Sequence, residues 1–517
     1  MYDPPLPEGF RLGQRSSDPV LAVKPGALTL ARNCDIGPDG SLRVRRSAQT
    51  ISDRILESND PIDVMGLSEY QTASAREVIT AGGTRWVQWD ATGTSKTVTA
   101  LTGATGLTAG QTWSLVRWRD GSRNWLIGGN GTDALRYYNG TSVATVASAA
   151  TDTNIVLPLL QYLAVWNDYV WGATATSNVL RFSDFSNPTS YPAAHYFLIN
   201  DTSGGSITGI GPGDEWLLYF TRNQTNVLTG LSRRSFGVKQ QFRTVGCVAH
   251  QTIQNTDMGL IWMDDDGLYL YDGSRPQRLS QPIDDVFRSL DFSQITNCWS
   301  VYYKHPQTKL RKYIVAVTQQ GRRANATWIE YTLDTDAWTV HTGEAAVALC
   351  RGHDGNDFDV LYTANADAEL QRHDQDTGDR VPVDFNIITR PLDGGSPEYR
   401  QFNKVLQRVF IFYQADNAVQ LQARVTTNFR GAVWPSSGTK TVSLSADVTI
   451  PAQYQYDQVP IIKHFLSAAQ ARLAILNIDE MLEGRHFQVQ LKNNEGGRQF
   501  RILDIVAEME LTSTIAA

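Results

Sequence analysis

The groups of residues that could do chemistry are few, and each has a plainer structural use. The most conspicuous carboxylate cluster is Asp264-Asp265-Asp266-Gly267. A calcium loop needs oxygen ligands at alternating positions and a bidentate acid downstream. Counting back from Gly267 puts Trp262 at the first ligand position, and an indole offers no oxygen. The segment is expected to be the turn between Ile261-Trp262 and Leu268-Tyr-Leu-Tyr271. Asp354-Gly-Asn-Asp-Phe-Asp359 fails the same test through Phe358, and Asp374-Gln-Asp-Thr-Gly-Asp379 fails through Gly378. The eight histidines are scattered. His353 beside Asp354 and His373 beside Asp374 sit in turn-rich segments and are expected to be solvated. Cys34, Cys247, Cys298 and Cys350 are far apart and form no CxxC pair, so they read as reduced, buried thiols. There is no phosphate loop, zinc helix or nucleophile elbow. The pairs Gly82-Gly83, Gly128-Gly129 and Gly204-Gly205 lack the spacing of a dinucleotide site and read as turn or sheet-edge glycines. No catalytic residue, cofactor-binding residue or metal ligand is assigned, and the chain is not expected to be an enzyme.

Charge points the same way. The net charge is −7, which is not the signature of a nucleic-acid-coating protein. The basic groups are small: Arg43, Arg45 and Arg46; Arg233-Arg234 with Lys239; and Arg322-Arg323. Each could touch phosphates or an acidic partner. Each could equally be a solvated strand edge, where cations guard against aggregation.

What must position these residues is a set of short strands. A chain of 517 residues suits two or three domains. Its 41 Gly, 13 Trp and 20 Tyr favour sheets joined by tight turns. The start, MYDPPLPEGF, shows no secretory pattern. The most apolar stretch, from Ile155 to Trp166, is broken by Pro158 and Gln161 and is too short to span a bilayer. Synthesis in a cytoplasm is expected.

One pattern recurs, an apolar strand running into an Asp, Asn or Gly turn. It appears as Trp86-Val-Gln-Trp-Asp90, Leu135-Arg-Tyr-Tyr-Asn-Gly140, Leu180-Arg-Phe-Ser-Asp184, Asn226-Val-Leu-Thr-Gly230 and Leu268-Tyr-Leu-Tyr-Asp-Gly273. Two more copies are Ile329-Glu-Tyr-Thr-Leu-Asp334 and Leu370-Gln-Arg-His-Asp374. The spacing is mostly about 40–50 residues, with one longer gap, which matches one four-stranded propeller blade. A lone four-stranded sheet cannot bury both faces, whereas sheets stacked around an axis bury one another. The expected fold is all-β, a six- or seven-bladed β-propeller over 51–384 followed by a sandwich-like domain over 385–517. In the latter, Val419-Gln-Leu-Gln-Ala-Arg-Val425 and Phe487-Gln-Val-Gln-Leu491 alternate as strands with one wet face do. Asn494-Glu-Gly-Gly497 reads as a hairpin turn between the last two strands, and an Ala/Leu-rich helical insert is expected over Lys463 to Leu476. The first 50 residues read as a third piece, either a strand that closes the propeller ring or an arm that docks on a neighbour.

Three stretches in order resemble the tail hub or nozzle proteins of short-tailed bacteriophages. The first is Arg32-Asn-Cys-Asp-Ile-Gly-Pro-Asp-Gly-Ser-Leu-Arg-Val-Arg-Arg46, similar to the asparagine-x-aspartate opening of those proteins. Ser47-Ala48 stands where many of them have Pro-Gly. The second runs from Arg234-Ser-Phe-Gly-Val-Lys239 through Gly246-Cys-Val-Ala-His-Gln-Thr252 and Gly267-Leu-Tyr-Leu-Tyr-Asp-Gly273. It ends at Leu279-Ser-Gln-Pro-Ile-Asp-Asp-Val286, where Ser-x-Pro-Ile begins a short helix. The third is the closing pair, Gly484 to Leu491 and Phe500 to Val506. The resemblance implies a virion structural protein without catalytic residues, a homo-oligomer, six-fold, in a ring below the portal and adaptor. Such a ring extends the channel through which genomic DNA passes without sequence-specific binding, and it holds fibres, spikes or a needle. The alternative from composition and fold is a propeller glycosidase or carbohydrate-binding protein, which needs paired carboxylates near the propeller axis.

Overall fold

Each copy of the repeated pattern becomes the third strand of a four-stranded antiparallel sheet. The computed structural model describes residues 9–19, 22–72, 76–91, 95–146, 159–199, 205–320, 325–354, 356–375, 384–395, 397–415, 418–428, 433–436, 438–444, 472–493 and 499–512. Among these residues six such sheets stand alone, and a seventh run of four antiparallel strands is part of an eleven-stranded sheet. Their third strands are Arg85–Asp90, Arg136–Tyr138, Val179–Phe182, Thr225–Thr229, Gly267–Tyr271, Thr327–Thr332 and Leu370–Gln375. Their first strands are Val64–Gln71, Ser114–Arg119, Tyr162–Trp166, Gly209–Pro212, Gln254–Thr256, Trp299–Lys304 and Ala346–His353. Each first strand packs against the next, and the seventh packs against the first. The first strands therefore surround an axis, and the fold is a seven-bladed β-propeller.

Burial between blades explains why the repeat works. Ile79 and Trp86 of the first blade meet Trp113, Leu126 and Tyr138 of the second. Trp171 and Phe182 of the third meet Leu217 and Tyr219 of the fourth. The one long gap in the repeat holds Gln281–Ile283 and the short helix Asp284–Arg288, with Pro282 in the first turn, then Phe292–Asn297.

The seventh sheet is completed by Ser47–Thr50, which pairs antiparallel with Leu370–Gln375. The first 50 residues are thus not a separate piece. Upstream of that strand, Gly13–Gln14, Ala27–Arg32, Cys34–Ile36 and Leu42–Val44 belong to a β-sandwich shared with the C-terminal part of the chain. One sandwich sheet is Cys34–Ile36, Leu42–Val44, Phe500–Leu511, Lys404–Ala415 and Arg472–Asn477. The other contains Ala27–Arg32, Phe385–Thr389, Phe487–Asn493 and Val419–Thr427. Val419–Thr427 alternates buried and wetter positions as its sequence suggests. The second sheet also continues into the sixth blade, because Gly13–Gln14 and Ala27–Arg32 pair in parallel with Ala337–Thr342. At that crossing Gly13 has φ +59° and a Cβ would lie 2.5 Å from the Trp338 carbonyl oxygen, so only glycine fits there.

Two expectations are corrected. Arg472–Asn477 is a strand paired with Lys404–Ala415, not the end of a helix. Its Ala474 and Leu476 are needed in the sandwich core, and pairing overrides the helical propensity of the segment. Phe487–Asn493 and Phe500–Leu511 do not form a hairpin. They lie in opposite sheets, and each turns an apolar face to the shared core. Residues 494–497 and 463–471, together with Gly204, Arg322, Arg323 and residues 376–379, lie outside the described residues.

Gly128 tests the interblade packing. A Cβ there would sit 2.5 Å from Trp86 Cη2 and Cζ2 and 2.9 Å from Leu115 Cδ2. Gly128→Ala is expected to lower stability by about 1–3 kcal/mol through overpacking, read from urea unfolding followed by tryptophan fluorescence. Unchanged stability would mean that the first two blades do not pack this closely.

Candidate functional site: the seam between propeller and sandwich

The acidic runs do what turns require. Asp264–Asp266 joins Gly259–Asp264 to Gly267–Tyr271. Asp265 pairs with Arg222, and Asp266 accepts from the Tyr269 hydroxyl at 3.1 Å. Asp264 is buried, accepts from the Gly246 N–H at 3.2 Å, and is pushed up to about 6 by that burial. The three carboxylates serve separate partners. All four cysteines are buried and free.

The two histidines expected to be solvated are not. His353 Nδ1 lies 2.9 Å from Glu69 Oε2, and the His353 backbone N–H donates to Glu69 Oε1 at 2.6 Å. Arg117 Nη2 meets the same buried carboxylate at 2.7 Å. Burial opposes the charge on Glu69, but the His353 and Arg117 hydrogen bonds outweigh it and hold its carboxyl below the usual range. His373 is 2% exposed, and burial pushes it down to about 4. The sequence placed both beside turns; the inward pleat of their strands decided otherwise.

The densest chemistry lies where the sixth and seventh blades meet the sandwich. Lys312, at the head of a strand otherwise reading Tyr-Ile-Val-Ala-Val, is buried. Its Nζ lies 2.7 Å from Asp35 Oδ1 and 2.8 Å from Glu330 Oε1, and Glu330 Oε2 lies 3.2 Å from His341 Nε2. Burial disfavours the ammonium, but Asp35 and Glu330 outweigh it and raise its pKa. Burial likewise works against Glu330, and the Lys312 charge with the His341 hydrogen bond holds it low. Asp35, Glu330 and His341 could together surround a cation, with ligand atoms within 4.8 Å of one another. Here the Lys312 ammonium supplies the positive charge at that point.

A second chain of contacts runs alongside. Arg45 Nη2 pairs with Glu344 Oε2 at 2.7 Å, and its guanidinium lies 4.4 Å from the Trp328 ring centre. Glu344 Oε2 lies 3.6 Å from His373 Nδ1. Asp374 lies 3.3 Å from His305 Nε2 and accepts from the Tyr303 hydroxyl at 3.0 Å. Burial opposes the Asp374 charge, and His305 and Lys312 outweigh it, so its pKa is lowered. Asn33, at φ +54°, donates to the Asp384 carbonyl at 3.0 Å and accepts from the Thr342 N–H at 2.8 Å. The motif that opens Asn33-Cys-Asp35 and closes with Arg45-Arg46 is therefore the seam itself. Sequence reasoning missed the role of Lys312. The only signal was a charge near the start of a buried strand, and of its two partners Glu330 lies on the neighbouring strand and Asp35 far away in the chain.

The seam opens on one side into a cleft of about 620 Å3 lined by Arg43, Arg46, Arg472 and Arg501, with Asp35 and His305 at its wall. Arg233, Arg234 and Lys239, by contrast, are exposed on the fourth blade. On the propeller axis, the turn His250–Thr252 reaches across the ring. His250 Nε2 lies 3.1 Å from Ser114 Oγ, Gln251 donates to the Trp113 carbonyl at 3.1 Å, and Ser300 donates to the Gln251 carbonyl at 3.2 Å. The second and sixth blades are thereby bridged.

No family model matches the chain, and no curated protein matches it. Among solved structures, BBS1N in complex with ARL6DN is 9% identical, covers 65% of this chain and 99% of its own, and has a TM-score of 0.42. The N-terminal domain of Nup159 is 9% identical, covers 64% and 95%, and has a TM-score of 0.38. PorZ, an essential bacterial surface component of the type-IX secretion system of Porphyromonas gingivalis, is 9% identical, covers 62% and 37%, and has a TM-score of 0.37. At this level of likeness the class of the chain rests on its own closed ring of blades: it is a seven-bladed β-propeller protein with an attached β-sandwich.

Lys312→Met leaves Asp35 and Glu330 buried without their cation. It is expected to cost about 3–5 kcal/mol, measured by chemical denaturation; a loss under about 1 kcal/mol would remove the pair from its central place. The seam also sets a pH dependence. His373 is depressed from 6.5 to about 4, so the unfolded chain binds more protons between those values. The stability it contributes is present above pH 6.5 and is lost as pH falls toward 4. Glu330, Glu344 and Asp374 are depressed too and extend the loss below pH 4.5. The urea midpoint should fall through pH 6.5–4, and less steeply in His373→Gln; equal slopes would contradict the assignment.

Proposed function

We propose that this chain is a non-enzymatic structural subunit of a short-tailed phage virion, a tail hub or nozzle protein. Six copies form a closed ring below the portal and adaptor, extend the DNA channel, and hold fibres, spikes or a needle. The subunit is made in the host cytoplasm and ends in the tail. The observation that carries this reading is the place of the Arg32-to-Arg46 segment, one of the three stretches on which the resemblance to such proteins rests. Its Asn33, Asp35 and Arg45 lock sandwich to propeller, which suits a subunit whose task is to keep two bodies in fixed relation within a ring. Closed cyclic symmetry is the common solution for such assemblies.

A second reading, a carbohydrate-binding propeller, has one observation in its favour. A groove of about 640 Å3 between the fourth and fifth blades is lined by Trp216, Tyr271 and Tyr302 together with Asp214, Asp257 and Asp272. Aromatic faces and carboxylates are what sugar rings and their hydroxyls need.

The native mass of the purified chain, with negative-stain images, separates the readings. A ring of about six copies with a central hole is expected. If the protein stays monomeric, also when mixed with portal and adaptor, and hydrolyses or binds members of a glycan panel, the ring reading is abandoned for the second.

A further inference from the structure

The groove between the fourth and fifth blades does not end at those blades. It shares Asn255, Tyr302 and Arg351 with a pocket of about 390 Å3 on the propeller axis. That pocket is lined by residues of five first strands, among them Ser68, Arg117 and Gln254, and by Gln251 of the turn that bridges the ring. The groove reaches Lys239, on the outermost strand of the fourth blade, Gly237–Phe242. The two spaces therefore form one cleft that runs from the axis to the rim.

The charges of the axial pocket are answered within the protein. Arg117 Nη2 lies 2.7 Å from Glu69, Arg351 Nη1 lies 3.9 Å from Asp359, and His353 Nε2 lies 3.4 Å from the same Asp359. What remains there is neutral and can both give and take hydrogen bonds. Gln251 Nε2 donates to the Trp113 carbonyl at 3.1 Å, and Gln254 Nε2 donates to the Ser300 carbonyl at 3.0 Å. Those bonds fix both amides and leave their oxygens as acceptors. Asn255, at the junction, is exposed. Along the groove, Trp216 and Tyr302 are half-buried, and Trp216 is held edge-on against Tyr271 at 4.9 Å.

We propose that pocket and groove are one elongated site for an uncharged oligosaccharide, whose end enters the axial pocket while its following rings lie along Tyr302 and Trp216. Aromatic rings cover the apolar faces of sugars, and hydroxyl groups pair with amides and carboxylates that accept or donate. Asp214 and Asp272, exposed in the groove, disfavour an anionic chain, and the paired arginines of the axis offer it no free charge. Two spaces of about 390 and 640 Å3, each the size of a small-ligand site and joined in series, suit linked rings better than a single one. The proposal rests on the groove that favours the second reading above and extends it to the axis. It is independent of ring formation, since all its residues come from one chain.

The test is calorimetric titration of the full chain with malto-, cello-, manno- and chito-oligosaccharides, from the monosaccharide to the hexasaccharide. At least one series is expected to bind saturably, one sugar chain per protein chain, with affinity rising at least tenfold from disaccharide to hexasaccharide. That length dependence is read on the unaltered chain and needs no variant to fold. Trp216→Ala should weaken every length at least tenfold. Ser68→Phe, which fills the axial pocket, should bring the hexasaccharide down to the affinity of the disaccharide and leave the disaccharide unchanged. Affinity that does not grow with length, or a hexasaccharide indifferent to Ser68→Phe, overturns the elongated site while the groove remains a sugar site. Tighter binding of oligogalacturonate than of every neutral series overturns the uncharged class. No binding by any series overturns the proposal and the second reading together.

Discussion

An ammonium group held in the interior between two carboxylates is the interaction on which the relation of the two domains depends. Taking Lys312, Asp35 and Glu330 out of water costs several kcal/mol for each ion, and only close, mutual pairing offsets it. Because Asp35 comes from the sandwich and Lys312 with Glu330 from the sixth blade, that pairing exists in one docking geometry. Any slide of the sandwich across the blade would strand a buried charge. Arg45, Glu344, His373 and Asp374 repeat the constraint toward the seventh blade. Apolar burial holds each domain together, whereas charge specifies how they sit.

Chain connectivity adds a second constraint of the same kind. The seventh blade takes its last strand from Ser47–Thr50, and the sandwich needs strands from both ends of the chain. The propeller cannot close until Leu370–Gln375 is available, and the sandwich cannot close until the C-terminal strands are. Pairings such as Arg43 with Arg501 carry large loop-closure entropy, a topology that favours slow folding and resists partial opening once formed. The parallel junction of Gly13–Gln14 with Ala337–Thr342 ties the two bodies through a continuous sheet as well as through the ion pairs.

The bridged axis bears on how a ring of such subunits could work. His250 and Gln251 link the second blade to the sixth across the propeller interior. In the proposed assembly, a passage for nucleic acid would run between subunits, and the blades would serve as rigid walls or docking faces.

The amino-acid sequence by itself determined the all-β class, the blade period and one strand of every blade. Those features depend on local pattern: an apolar run, an alternation of two, and a turn residue recurring at one spacing. It also marked Asp264–Asp266 as a turn, since a tryptophan at a required ligand position excludes calcium chemistry within a few residues. What tertiary structure alone decided is everything that joins distant segments. The strand at Arg472–Asn477, the placing of Phe487–Asn493 and Phe500–Leu511 in opposite sheets, the pairing of His353 with Glu69 and the burial of His373 all depend on which face meets which neighbour. The Lys312 site is the sharpest case. Its carboxylates come from positions 35 and 330, and no local pattern encodes a charge balance that exists only when three strands are folded together.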